Sequence, residues 1–357
     1  ENGDENLHSF FIKDLTKAKT LNNANLNRYI QGFSGTRINL DSHKNSERFN
    51  PTIFEEILQP KNFPLGRFIS NTEHPPSFMQ QVAINLALKD SDSENILSVN
   101  GPPGTGKTTL LKDVFADLIV QQAAEIASRP NKKIEPTITY WKQAKFGVLP
   151  SSIAEKNIVV ASSNNGAVQN IVHELPKMGE DSKEFIEEIK EADYFTTISN
   201  CQFEKSFQNQ QFNLQVTKVS DDNWGVFSLE GGKATNIEKL LLTIDAMIKD
   251  LNNNFLDTPQ VYNEFMELHN KVKEEREEKQ RIYDNYKRLR EVEQQIKKRE
   301  LQFQTEFQQY EKELNDYVHL NNSKIQSFQL ELDDYNATAS NIVYEIEQVT
   351  LDLKNAE

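Results

Sequence analysis

The sequence predicts an α/β domain built on a parallel sheet, joined to a long helical coil. Two observations predict it. Two short apolar runs, Ile96–Val99 and Asn157–Ala161, each pass through a glycine-rich or polar turn into a segment of helical spacing, the strand–turn–helix unit of a parallel sheet. The last glycine is Gly232 and the last proline Pro259, and beyond Gln260 apolar residues recur at intervals of three, four and seven.

The first strand–turn–helix unit organises the rest. After Ile96, Leu97, Ser98 and Val99 comes Gly101-Pro102-Pro103-Gly104-Thr105-Gly106-Lys107-Thr108, which fits G-x-x-x-x-G-K-S/T at every fixed position. Leu110, Leu111, Val114, Phe115 and Leu118 then continue at helical spacing. A triphosphate needs several donors converging on its oxygens, and glycines let the backbone curl closely enough to aim its N–H groups inward. The following helix adds the positive end of its dipole. The pattern assigns phosphate binding to Gly101, Gly104, Thr105, Gly106, Lys107, Thr108 and Thr109. Lys107 reaches the β- and γ-phosphates and the Thr108 hydroxyl ligates Mg²⁺. The chain is thereby read as a P-loop protein that binds a nucleoside triphosphate with Mg²⁺.

Composition narrows the remaining choices. At 357 residues the chain exceeds one typical domain. A formal charge of −14 gives no support to a globally basic nucleic-acid binder, although a local groove is still free to be basic. Much of the acid surplus sits on helix faces of the C-terminal third. Cys201 is the only cysteine, so no intrachain disulfide is possible and a reducing compartment is expected. With no signal peptide and no long apolar run, the expectation is a soluble cytoplasmic protein without a membrane partner. The chain begins at Glu1 without methionine, which suggests a trimmed piece of something longer.

Taken in order, residues 1–48 are polar with scattered apolar pairs and carry no assignable chemistry. Phe54, Ile57 and Leu58 form a helical turn before Pro60, Pro64 and Gly66. Ser77 caps a helix carrying Phe78, Val82, Ile84, Leu86 and Leu88, with Gln80-Gln81 at its start. A glutamine amide is suited to reading adenine, since it pairs with both N6–H and N7, but a lone Gln on a helix is usually only solvated. Residues 129–152 read as an insertion. The second strand ends in Ser162-Ser163-Asn164-Asn165-Gly166, where α/β sheets place ligand contacts. Its N–H groups and short polar side chains suit a backbone phosphate of a nucleic acid, and equally an ordinary N-cap. Trp224–Phe227 reads as a strand or packed turn, and 236–251 as helix.

In the coil, Ile282, Leu289, Ile296, Phe303, Tyr310 and Tyr317 recur every seven residues. A second register runs Ile325, Phe328, Leu332, Tyr335, Ala339, Ile342, Ile346, Val349 and Leu353. The registers are out of phase around 318–324, where Asn321-Asn322-Ser323 offers a turn. An antiparallel helical hairpin is therefore favoured over one continuous rod. What the chain lacks is an apolar run ending in Asp-Glu, the acidic pair that hydrolysis requires beside the phosphate loop. Alone it is expected to bind nucleotide and hydrolyse it poorly or not at all.

With these residues in view, the sequence resembles the first motor domain of a superfamily 1 helicase, in the branch containing the nonsense-mediated-decay helicases and their bacterial relatives. Gln81-Val82-Ala83-Ile84 resembles the upstream Q motif, Gly101 to Thr109 motif I, and Ile158 to Val168 motif Ia. The usual Ala-Pro-Ser-Asn of motif Ia appears here as Ser162-Ser163-Asn164-Asn165. Pro64-Leu65-Gly66-Arg67 and Trp224-Gly225 look like local signatures of bacterial members with a long coiled-coil insertion. The motif-bearing resemblance spans about Pro64 to Pro176. It implies that Gln81 contacts adenine, that Ser163, Asn164 and Asn165 grip single-stranded DNA or RNA, and that motifs II to VI lie beyond Glu357.

The expected organisation is an N-terminal accessory region over 1–70, a partial RecA-like ATP-binding domain over 71–255 and a coiled-coil arm over 256–357. The expected function is the ATP-binding part of an ATP-dependent helicase or translocase. The runner-up is an SMC-type P-loop ATPase, in which a coil also separates the phosphate loop from the second acidic motif. A third reading is a nucleotide-regulated module whose coil recruits a protein partner.

Overall fold

A computed structural model describes residues 7–32, 38–69, 75–89, 96–102, 104–141, 144–162, 165–177, 185–208, 211–256 and 258–356. In chain order the elements are α1 (Leu7–Ala18), α2 (Ala24–Gln31), α3 (Pro51–Ile57), α4 (Phe78–Lys89), α5 (Lys107–Ser128), β1 (Pro136–Trp141), β2 (Ala144–Gly147), α6 (Ser151–Ala154), α7 (Asn165–Glu174), α8 (Ile186–Ala192), α9 (Thr196–Ser199), β3 (Cys201–Gln208), β4 (Gln211–Val219), α10 (Ala234–Asn254) and α11 (Gln260–Ala356). They divide into two compact units, residues 1–281 and 282–357.

Within the first unit, local chemistry starts the helices where the sequence suggests. The Asn50 side chain accepts from the Thr52 N–H at 3.1 Å and Pro51 opens α3 with its φ already set. α3 buries Phe54 and Ile57 against Val82 of α4, with Leu40, Phe49, Ile53, Leu58 and Leu86 packed around them. The Phe54 ring lies 5.9 Å from Phe49 and 5.1 Å from Phe78. Asn85 is buried beside them because its Nδ2 donates to the Ile57 carbonyl at 3.0 Å, so the polar group pays no desolvation penalty unanswered. The start of α11 is fastened to the same region: Arg276 donates to the Phe63 carbonyl at 2.8 Å, and Gln280 accepts from the Lys61 N–H at 3.0 Å.

The sheets are not the expected ones. Both are antiparallel hairpins, β1 with β2 inside the 129–152 insertion, and β3 with β4 in the register Cys201↔Val219 to Gln208↔Gln211. Among the described residues there is no parallel sheet, so the RecA-like sheet expected from the two apolar runs is not seen there. Residues 96–99 and 157–161 are unladdered chain, with Leu97 50% and Val159 90% exposed. The reason is physical: an apolar run specifies a segment that wants both faces covered, but a strand exists only where a neighbour completes its backbone hydrogen bonds. No described segment lies beside either run as a strand. Trp224–Phe227, expected as strand or packed turn, is packed irregular chain with a bend at Trp224. Trp224 donates to the Pro176 carbonyl at 2.8 Å, its ring lies 4.0 Å from that of Phe227, and Gly225 bridges to Tyr194. A Cβ on Gly225 would meet the Tyr194 carbonyl at 2.8 Å.

The second unit is described by the later part of α11, from Ile282 on, and this helix corrects the expected hairpin. α11 is one continuous 97-residue helix, and Asn321, Asn322 and Ser323 remain inside it, with Ser323 Oγ donating to the His319 carbonyl one turn back. Tyr317 and Phe328 are eleven residues apart. Eleven residues make three turns at about 3.67 residues each, so the change of register keeps both apolar stripes on one side of an unbroken helix. Those stripes are uncovered among the described residues: Leu289, Phe303 and Tyr335 are each more than three-fifths exposed.

Candidate functional site

The phosphate loop is built by its glycines. Gly104 and Gly106 take φ of +79° and +73°, the left-handed region where a Cβ is penalised. Gly101 is needed for another reason, since a Cβ there would sit 2.7 Å from Thr105 Oγ1. Thr105 Oγ1 in turn donates to the Pro102 carbonyl at 2.9 Å. α5 begins at Lys107, with the Leu110 N–H closing its first turn on the Gly106 carbonyl at 3.1 Å. The first-turn N–H groups of a helix have no intrahelical acceptor, so Lys107, Thr108 and Thr109 present the donors that an anion requires. The Lys107 ammonium is folded over its own loop, donating to the Gly101 carbonyl at 2.6 Å and the Pro102 carbonyl at 2.8 Å. Thr108 is half-buried at the helix start and Thr109 is exposed. Of the sequence-assigned residues, Gly101 and Gly104 to Thr109 are thus gathered at one helix N-terminus.

The two glutamines of α4 separate. Gln81 donates through Nε2 to Asn85 Oδ1 at 2.7 Å and accepts from the Arg67 guanidinium at 3.3 Å. Gln80 is the one that reaches the loop, donating to the Thr105 carbonyl at 3.2 Å and the Gly106 carbonyl at 3.4 Å. Its Oε1 accepts from the Ser77 N–H at 2.7 Å while its own N–H points back to Ser77 Oγ at 3.4 Å. That reciprocal pair is a capping box, and the S-x-x-Q spacing of Ser77 and Gln80 was the sequence signal for it.

Sequence reading also missed two carboxylates on α5. Asp117 Oδ1 accepts from the Leu65 N–H at 2.8 Å and the Gly66 N–H at 2.9 Å, and Oδ2 accepts from the Gln121 amide. Asp113 accepts from the Phe68 N–H at 2.9 Å and pairs with Arg67 at 2.9 Å. Both aspartates are buried. Their i, i+4 spacing on one row of the helix is a signal, but the backbone groups they accept from lie some fifty residues upstream. A Cβ on Gly66 would meet the Ala116 carbonyl at 2.8 Å and Asp117 Cα at 2.9 Å, so the Pro64–Arg67 stretch lies directly on the helix.

Of the residues read as strand contacts, Ser163 and Asn164 lie outside the described residues, and Asn165 is the first residue of α7. A cavity of about 560 Å³ lies between α5, α7 and the Trp224 bend, lined by Phe115, Ile119, Ile158, Val160, Ile171 and Trp224 among others. No residue of the phosphate loop lines it, and its apolar walls do not suit a triphosphate. Among the described residues no group of three or more His, Cys, Asp or Glu is arranged to hold a metal ion, and no helix is long and apolar enough to cross a membrane. The donors at the loop do fit a metal–triphosphate: an ammonium, first-turn N–H groups, and threonine hydroxyls in a cradle kept open by glycines.

Comparison with known proteins agrees with this chemistry. A family model described as AAA domain matches residues 78–344, about three quarters of the chain. No curated protein and no solved structure matches it. The match begins at the helix that carries Gln80, contains the whole phosphate loop and runs far into α11. The chain belongs to the AAA domain family, P-loop ATPases of a kind found in superfamily 1 helicases.

Proposed function

We propose that this chain is the ATP-binding part of an ATP-dependent helicase or translocase acting on single-stranded DNA or RNA. The observation that carries the reading is the loop itself, with Gly104 and Gly106 in left-handed conformations and Lys107 opening a 22-residue helix. Lys107 exchanges its two carbonyl acceptors for β- and γ-phosphate oxygens, a charge-assisted bond replacing neutral ones. The N–H groups of Lys107, Thr108 and Thr109 add donors along the helix axis, and the Thr108 hydroxyl holds Mg²⁺. The metal supplies neutralisation of charge on the transferring phosphate.

The resemblance placed the adenine contact on Gln81. Gln81 bonds Asn85 and Arg67 away from the loop whereas Gln80 adjoins it, so in this reading base recognition passes to Gln80 by its position. In this reading Ser163, Asn164 and Asn165 touch the strand, and the long helix α11 is available to a protein partner.

The test is ATP binding by the chain, wild type against Lys107→Ala, with and without a single-stranded oligonucleotide. A charged hydrogen bond of 1.5–3 kcal/mol predicts a loss of roughly 10- to 100-fold in the variant. Reciprocal effects of ATP and strand on each other's affinity support the helicase reading. ATP binding indifferent to any strand favours an SMC-type ATPase or an interaction module, and no ATP binding overturns the assignment.

A further inference from the structure

Gln80 occupies a position that base recognition alone does not explain. Its amide is oriented before any nucleotide arrives, because Oε1 accepts from the Ser77 N–H at 2.7 Å and so turns Nε2 towards the loop. Nε2 then meets two successive carbonyls, those of Thr105 and Gly106. In a trans peptide the C=O and the following N–H point in opposite directions. Holding the Thr105 and Gly106 carbonyls towards α4 therefore turns the N–H groups of Gly106 and Lys107 away from it. Those are the donors a phosphate needs.

Two further facts bear on this side chain. Gly106 packs directly against Gln80 Nε2, so a Cβ added there would displace the amide, while its φ of +73° favours glycine in its own right. The platform beneath is rigid, since Val82, Ile84 and Asn85 of the same helix are fully buried.

We infer that Gln80 is a positioning residue of the phosphate loop, which sets the direction of its N–H donors through the carbonyls of Thr105 and Gly106 and so supports binding of any polyphosphate, whatever the base. The inference rests on the nucleotide-binding reading of the loop and goes beyond base recognition.

The experiment measures affinity of the whole chain for Mg–ATP and for inorganic tripolyphosphate, in wild type, Gln80→Met and Gln80→Ala. Met keeps the bulk and loses the donors. Tripolyphosphate affinity is expected to fall about tenfold in both variants, with ATP falling at least as far, as two hydrogen bonds of about 1 kcal/mol or somewhat less each are lost. The thermal midpoint should stay near that of wild type, while amide hydrogen exchange at residues 105–108 quickens without nucleotide. Unchanged tripolyphosphate affinity with weakened ATP overturns the inference and leaves Gln80 as a base contact only. A wild type that binds neither ligand overturns both the inference and the function on which it rests.

Discussion

The Arg67 guanidinium lies 2.9 Å from the Asp113 carboxylate, and through this pair the Pro64–Arg67 stretch is fastened to the helix that begins with Lys107. The aspartate is nearly buried and the arginine is partly in water. The neighbouring Asp117 carries more: two backbone N–H groups and one side-chain amide.

Asp117→Ala orphans those three donors, so it should destabilise the first unit by about 3 kcal/mol. Arg67→Ala, whose charge is partly solvated, should cost about 1 kcal/mol or less. Urea unfolding of both variants checks the order; equal losses would contradict it.

Gly66→Ala forces a methyl group against the Ala116 carbonyl and the Asp117 backbone. Overpacking of that kind costs about 1–3 kcal/mol. Gly231→Ala is the control, because a Cβ there meets nothing within 4 Å, and its stability should be unchanged or slightly raised.

The Glu125 carboxyl is held below its ordinary range, chiefly because Ser152 Oγ donates to it at 2.7 Å, with Arg129 beside it. A lowered folded-state pKa contributes stability that is present above the unfolded value and is lost as pH falls through the folded one. Ser152→Ala should therefore be less stable than wild type at neutral pH, and the difference should shrink as acid titrates the carboxylate. Melting midpoints from pH 7 to pH 3 test this, and a gap that widens in acid would contradict it.

The unbroken α11 is checked by distance. Spin labels at Glu300→Cys and Asn341→Cys, with Cys201→Ser, should lie roughly 60 Å apart at 1.5 Å per residue. A hairpin turning at Asn321-Asn322 would bring them to about 10 Å.

How far the sequence reached varied with the range of the interaction. The phosphate loop was legible because its constraints are local: glycine spacing, one lysine and a helix start. Gln80 and Gln81 were not separable by composition, since adjacent residues on a helix face different directions and only packing shows which one meets the loop. The heptads were legible, but their change of register at Tyr317–Phe328 read as a turn, although eleven residues suit a continuous helix equally well.

The sequence by itself determined the phosphate-binding chemistry, the sites of most helices and the length of apolar seam on α11. Tertiary structure decided the rest. Asp113 and Asp117 are buried because backbone N–H groups 45 to 52 residues away come to them. Ile96–Val99 and Asn157–Ala161 are apolar yet unladdered, because a strand is a property of two segments and one segment's pattern cannot supply the other.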